Sequence, residues 1–224
     1  NICGIQTKHG KKTDNTETIT IETESGIKSL LLYKQNGKVT SVTVDMGKPE
    51  FKPELLPTTL KSSAIDSKVF ANCSDEEKSY LPKEAIINQD LKVEKTSYKV
   101  TALSVGNPHA VIFSKFVDKE ALEYIGPLIE HHKCFPERTN TEFVRIVGPN
   151  EIKLRTWERS NGETLACGTG ACAAAIASVL NGYCPVNQDI TVEVKGGTLL
   201  VKYTGKTVYL TGNTIMCYEG EIEI

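Results

Sequence analysis

The chain has 224 residues, with 26 Lys and Arg against 28 Asp and Glu, for a formal net charge of −2. That balance excludes a general binder of nucleic acid or of anionic membrane, which would carry a basic excess. With 39% hydrophobic and 24% charged residues, the composition is that of a globular protein with chain enough for a sizeable core.

In chain order, the first half reads as short strands punctuated by turns. Ile19–Thr23 alternates apolar and polar residues, turns at Ser25-Gly26 and resumes over Ile27–Tyr33. Asn36-Gly37 is a hairpin signal, after which Val39–Asp45 alternates again. Residues 47–97 carry Pro49, Pro53, Pro57, Pro82 and an acidic run at Asp75–Glu77, and read as loop-rich. Strands are expected at Tyr98–Val105 and His109–Phe113, joined by Gly106-Asn107-Pro108. Asp118 reads as the N-cap of a helix to about His131 that Pro127 would kink or break. Strands at Thr141–Val147 and Glu151–Glu158 flank the turn at 148–150. A helix should run from about Gly170 to Asn181-Gly182. Four strands close the chain, near Ile190–Val194, Leu199–Tyr203, Val208–Thr211 and Ile215–Glu219. The pattern is α+β, dominated by strands.

No apolar stretch approaches the ~20 residues of a membrane span; the longest, Ala171 to Leu180, is about half that. Seven cysteines are scattered at 3, 73, 134, 167, 172, 184 and 217, with no CxxC pair and no metal-ligand spacing. No secretory leader precedes them, so reduced thiols in a cytoplasm are expected. The chain opens on Asn1 rather than Met, so a preceding segment is expected to have been removed.

Ile19-Thr20-Ile21-Glu22 before Gly26 resembles Ile190-Thr191-Val192-Glu193 before Gly196. Each is followed by an apolar strand, a Gly-Lys turn and an alternating strand that closes on glycine. This reads as a divergent repeat, and therefore as two related halves. Residues 1–47 with 213–224 would be what remains of an N-terminal half. Residues 48–212 would be the C-terminal half. In the second copy Cys167 lies 23 residues before Ile190, and the same distance back from Ile19 runs off the front of the chain. The first copy's cysteine is therefore expected to be missing.

The chemistry concentrates between Trp157 and Ala173. A strand ends in Glu158-Arg159, a polar loop follows, and Cys167-Gly168-Thr169-Gly170 opens a helix of small residues. Free N–H groups at 168–170 would form an anion site, and a cysteine there should have its thiolate favoured by the helix N-terminus. Asn107 and His109 on one loop, and Asn140 on another, could converge on it. Cys172 reads as core. Gly168 to Ala173 also matches G-x-G-x-x-A, but polar residues precede it and meander strands follow, so a dinucleotide site is not expected.

Gly-Asn-Pro-His-Ala-Val at 106–111, Glu-Arg-Thr-Asn at 137–140 and the long run 157–173 resemble diaminopimelate epimerases. The resemblance implies two pseudo-symmetric α+β halves, each wrapped around a central helix, the first incomplete here. It implies cofactor-independent interconversion of LL- and meso-diaminopimelate, in lysine and peptidoglycan-precursor biosynthesis, by two cysteines on opposite faces of the α-carbon. Cys167 would be one of these acid–base groups, with His109 and Glu158 tuning its acidity. Asn107, Asn140, Glu158, Arg159, Gly168 and Thr169 would bind the amino acid substrate. The resemblance also implies a cytoplasmic homodimer. The family's second cysteine sits in an N-terminal Cys-Gly-Asn-Gly motif that Cys3-Gly4-Ile5-Gln6 does not match, so this polypeptide alone is expected to be inactive. The alternatives are a proline- or histidine-type racemase of the same fold, or a non-catalytic carboxylate-binding fragment.

Overall fold

The computed structural model describes residues 7–23, 26–71, 73–215, 217 and 220–221. It divides into two compact units, Asn1–Asp45 with Thr211–Ile224, and Met46–Leu210. The fold is sheet-rich α+β.

The first unit is an antiparallel meander of β1 (Thr7–Lys12), β2 (Thr16–Thr23), β3 (Gly26–Gln35) and β4 (Lys38–Gly47), the last running into the second unit. Asn36 and Gly37 both take positive φ, 52° and 75°, the geometry that lets a two-residue turn follow the strands' own twist. Lys34 pairs with Glu17 across the β2–β3 ladder.

The core lies in the second unit, where the buried Leu, Ile, Val, Phe, Ala and Cys side chains all fall between Leu56 and Val208. Its strands are β5 (Ser63–Ala64), β6 (Glu84–Val93), β7 (Thr96–Ser104), β8 (Pro108–Phe113), β9 (Asn140–Gly148), β10 (Glu151–Glu158), β11 (Gly162–Glu163), β12 (Asp189–Val194), β13 (Gly197–Tyr203) and β14 (Val208–Asn213). They run in the order β14-β13-β12-β10-β9-β8-β7-β6-β5, with β11 as a hairpin on β10. The pairs β8–β9 and β10–β12 are parallel. The 47–97 stretch is more regular than its prolines suggest. It holds β5, β6, the start of β7 and two short helices, α1 (Ser67–Phe70) and α2 (Asp75–Tyr80). The acidic run Asp75–Glu77 is the first turn of α2, where carboxylates face the positive helix end and Ser74 and Glu77 form a capping box.

Helix α3 spans Leu122–Glu130, not 118–131. Asp118 caps nothing; it lies in a short 3-10 turn and pairs with Lys153 at 3.0 Å and Arg145 at 3.4 Å. Pro127 sits inside α3 without ending it. Its ring removes one backbone rung, and burial of Leu122, Ile125 and Ile129 offsets that loss. At the C-terminal end, the expected strand at 215–219 is absent at Ile215 and Cys217, and residues 216, 218 and 219 lie outside the described ones.

Helix α4 (Gly168–Leu180) is the axis of this unit, buried at every residue from Gly170 onward. It packs against β7, β8, β9, β10, β12 and β13. A helix enclosed on all sides must be apolar all round, and its alanines let strands approach closely from each direction. Its C-terminal end is pinned by Asn181, whose amide donates to the Ala177 carbonyl at 2.8 Å and to Thr101 Oγ1 at 3.0 Å. Among the described residues, no helix is long and apolar enough to cross a membrane.

Candidate active site

The N-terminus of α4 opens on Cys167, which occupies the N-cap with extended backbone (φ −129°, ψ 112°). Its Sγ does what a Ser or Asp oxygen does at most helix starts: it accepts the Gly170 N–H, at 3.3 Å. The Thr169 hydroxyl stands 3.5 Å from the sulfur. The N–H groups of Gly168 and Thr169 precede the helix's own ladder, which makes this end a natural carboxylate cradle.

Sequence reasoning expects a thiolate here, and the structure corrects that. Burial pushes the Cys167 thiol up to about 11, and any negative charge on the nearby Glu142 carboxyl adds to the rise. Hydrogen bonds from Thr169 and Gly170 act the other way but are outweighed, and Glu158 raises it further. At neutral pH the site therefore holds a thiol, a proton donor. Only about one molecule in 10⁴ is thiolate at pH 7, so iodoacetamide labelling of Cys167 should climb about tenfold per pH unit and level off only near pH 11. Peptide mapping after labelling at several pH values reads this out; a plateau near pH 7 would contradict it.

Glu158 ends β10, and its Oε1 accepts the Thr164 hydroxyl at 2.6 Å, which closes the loop leading to Cys167. Arg159 follows. Its backbone N–H donates to Asn140 Oδ1 at 2.9 Å, and its guanidinium reaches the Glu137 carbonyl at 3.2 Å. Asn140 is thus anchored by its oxygen, which leaves its amide N–H₂ for another partner. His109, at the start of β8, is paired with Asn140 on β9 through the parallel ladder. It lies between two oxygens, Glu142 Oε1 at 2.8 Å from Nδ1 and Asn107 Oδ1 at 3.0 Å from Nε2.

Two carboxylates that sequence reasoning missed complete the arrangement. Glu142 on β9 is fully buried against His109 and Cys167. A Cβ built on Gly170 would meet Glu142 Oε1 at 2.9 Å and Cys167 Sγ at 3.2 Å, so only glycine fits between them. Glu130, last residue of α3, is 3% exposed and accepts from Trp157 Nε1 at 2.8 Å and the Ser160 N–H at 3.0 Å. It thereby clamps both sides of the Glu158-Arg159 pair. Behind the same hairpin, Arg155 makes a two-pronged contact with Glu163 at 2.8 and 3.0 Å, and Lys195 joins at 2.9 Å. Cys172 is wholly buried in α4 and takes part in none of this. Cys3 lies outside the described residues.

Comparison with known proteins bears on the same segment. The diaminopimelate epimerase family profile matches residues 101–217. A diaminopimelate epimerase of Desulfovibrio desulfuricans is 42% identical over 223 residues, 99% of this chain and 69% of that protein. One from Methanococcus maripaludis is 42% identical over 218 residues, 96% of this chain and 70% of that protein. Among solved structures, a probable proline racemase from Agrobacterium radiobacter superimposes with TM-score 0.58 at 14% identity, over 91% of this chain and 59% of that one. A predicted epimerase from Pseudomonas aeruginosa does so with TM-score 0.54 at 16% identity, over 91% and 65%. These likenesses show the fold. The sequence relatives go further, because they share the segment that builds the Cys167 site: the chain belongs to the diaminopimelate epimerase family of isomerases.

Proposed function

We propose that this chain supplies one face of a two-base site that inverts the α-carbon of diaminopimelate between its LL and meso forms. The observation that carries this is Cys167 Sγ, capped by the Gly170 N–H at a buried helix start. In this reading the substrate α-carboxylate sits on the Gly168 and Thr169 N–H groups. Positive helix charge there stabilises the electron density that builds on the carboxylate as the α-proton leaves.

The chemistry needs a base on each face. An α-proton is very weakly acidic, and a single base would return it to the side it came from. One thiolate takes the proton from one face while the thiol opposite delivers its own, so the carbon inverts and the two sulfurs exchange roles. Cys167, protonated at neutral pH, is the donor in the direction that starts from that state. Arg159 binds the distal carboxylate, Glu158 the α-ammonium, and the amides of Asn107 and Asn140 the remaining polar atoms. His109 and Glu158 tune the thiol.

The opposite base, on this reading, is the family's other cysteine, carried by a half related to this one by the repeat. Residues 1–47, with 213–224, would belong to that half. The enzyme works without a cofactor, in the cytoplasm, as a homodimer.

Incubation of diaminopimelate in D₂O with the protein that carries this chain should wash out the α-proton and interconvert the LL and meso forms, and Cys167→Ala should stop the interconversion. No exchange by the unaltered protein would overturn the reading. Exchange of proline or histidine in place of diaminopimelate would redirect the substrate assignment. A polypeptide of residues 1–224 alone, holding one such thiol, should turn nothing over; turnover that Cys167→Ala abolishes would refute that expectation.

A further inference from the structure

Glu142 has no role in the scheme above, yet it is among the most constrained side chains in the molecule. It is 0% exposed, its Oε1 lies 2.8 Å from His109 Nδ1, and its Oε2 has no hydrogen-bond partner among the described residues. His109 is itself 1% exposed, and its other nitrogen lies 3.0 Å from Asn107 Oδ1. An amide oxygen only accepts, so Nε2 must donate to it, and the Nδ1 side is then fixed by what Glu142 offers.

We propose that Glu142 is a positioning residue for Asn107. Its carboxyl hydrogen-bonds His109 Nδ1, this holds the Nε2–H on Asn107 Oδ1, and the Asn107 amide N–H₂ is thereby turned to the substrate. One proton lies in the Glu142–His109 bond, so the pair is neutral overall. Burial favours leaving that proton on Glu142, since an ionised carboxylate would strand a charged Oε2 without a partner. A neutral pair also suits its neighbours, because Cys167 and Glu158 lie close by and a further negative charge would oppose thiolate formation. The site thus gains a rigid donor without a net charge behind its thiol. The step from Asn107 to substrate rests on the epimerase reading; the Glu142–His109–Asn107 relay does not.

The test is ¹⁵N NMR of the His109 ring in the unaltered protein and in Glu142→Gln and Glu142→Leu, with meso-diaminopimelate binding by calorimetry. The unaltered protein should show a protonated Nε2 at pH 7. Glu142→Gln, whose amide can donate to Nδ1 as the carboxyl does, should keep it. Glu142→Leu should lose the single Nε2–H form and bind the substrate about tenfold more weakly. A proton on Nδ1 with Nε2 bare, in either of the first two proteins, would overturn the proposal. So would Glu142→Leu with unchanged ring signals and binding. Should Glu142→Leu not fold, the first two spectra still decide. A protein that shows the His109 signature but neither binds nor turns over diaminopimelate would instead sink the epimerase reading.

Discussion

Cys167→Ala should lower epimerisation by about 10³-fold or more while leaving the protein folded. On the proposed two-base reading, the activity loss follows from removing the acid–base group on one face, since such groups contribute about 10² to 10⁴. Glu142 and Glu158 act on the sulfur electrostatically, and Thr169 is too weak an acid. The fold should survive because Sγ makes one backbone hydrogen bond, to Gly170, and one hydroxyl contact. Loss of such a cap costs about 1 kcal/mol. Cys172→Ala is the matching control. That side chain is fully buried in the α4 core, so its loss should show in thermal stability and leave α-proton exchange in D₂O intact. Interconversion of the LL and meso forms that persists in Cys167→Ala but vanishes in Cys172→Ala would overturn the assignment.

Gly126→Ala is expected to be the most damaging single methyl group that can be added. A Cβ there would stand 2.3 Å from Trp157 Cδ2 and 2.5 Å from Cγ, in the body of the indole. The ring has little room to retreat. Its Nε1 is tied to Glu130 at 2.8 Å, and its far edge faces Gly162, where a Cβ would come within 3.5 Å. Overpacking of this kind costs about 3 kcal/mol, and alanine returns about 1 kcal/mol of helix propensity. A net loss of about 2 kcal/mol should lower the melting temperature by roughly 4–8 °C. Activity should fall as well, because Trp157 adjoins Glu158-Arg159 and the same Glu130 clamp holds the Ser160 turn. Circular dichroism melts and exchange rates on one preparation check both; a variant as stable as the parent would show that α3 and β10 slide apart freely.

Much of the strand pattern was legible because period-2 alternation and turn residues coincide. Asn36-Gly37 marks the β3–β4 hairpin, and β10 runs over the expected Glu151–Glu158. The stretch 47–97 was not legible. Its prolines look like loop punctuation, but Pro82 stands just before β6 and Pro53 opens a short 3-10 turn, positions where a missing N–H does no harm. The acidic run at 75–77 read as part of a loop where it serves a helix start. Asp118 was mistaken for a cap because its pairing with Lys153 and Arg145 depends on distant strands.

The local features of the candidate site are legible in the residues alone. Cys167-Gly168-Thr169-Gly170 before an alanine-rich run specifies a sulfur at a buried helix start, and Glu158-Arg159 a charged strand end beside it. Only the tertiary structure decided the state of that sulfur and the company it keeps. A helix N-terminus alone predicts a thiolate; burial makes a thiol, because desolvation of the charged form outweighs two hydrogen bonds. Glu142 was hidden for a related reason. A glutamate in a strand reads as a solvent-facing residue, but β9 lies inside the sheet with a parallel neighbour, buried from Asn140 to Val144, so its carboxyl has nowhere to go but toward His109.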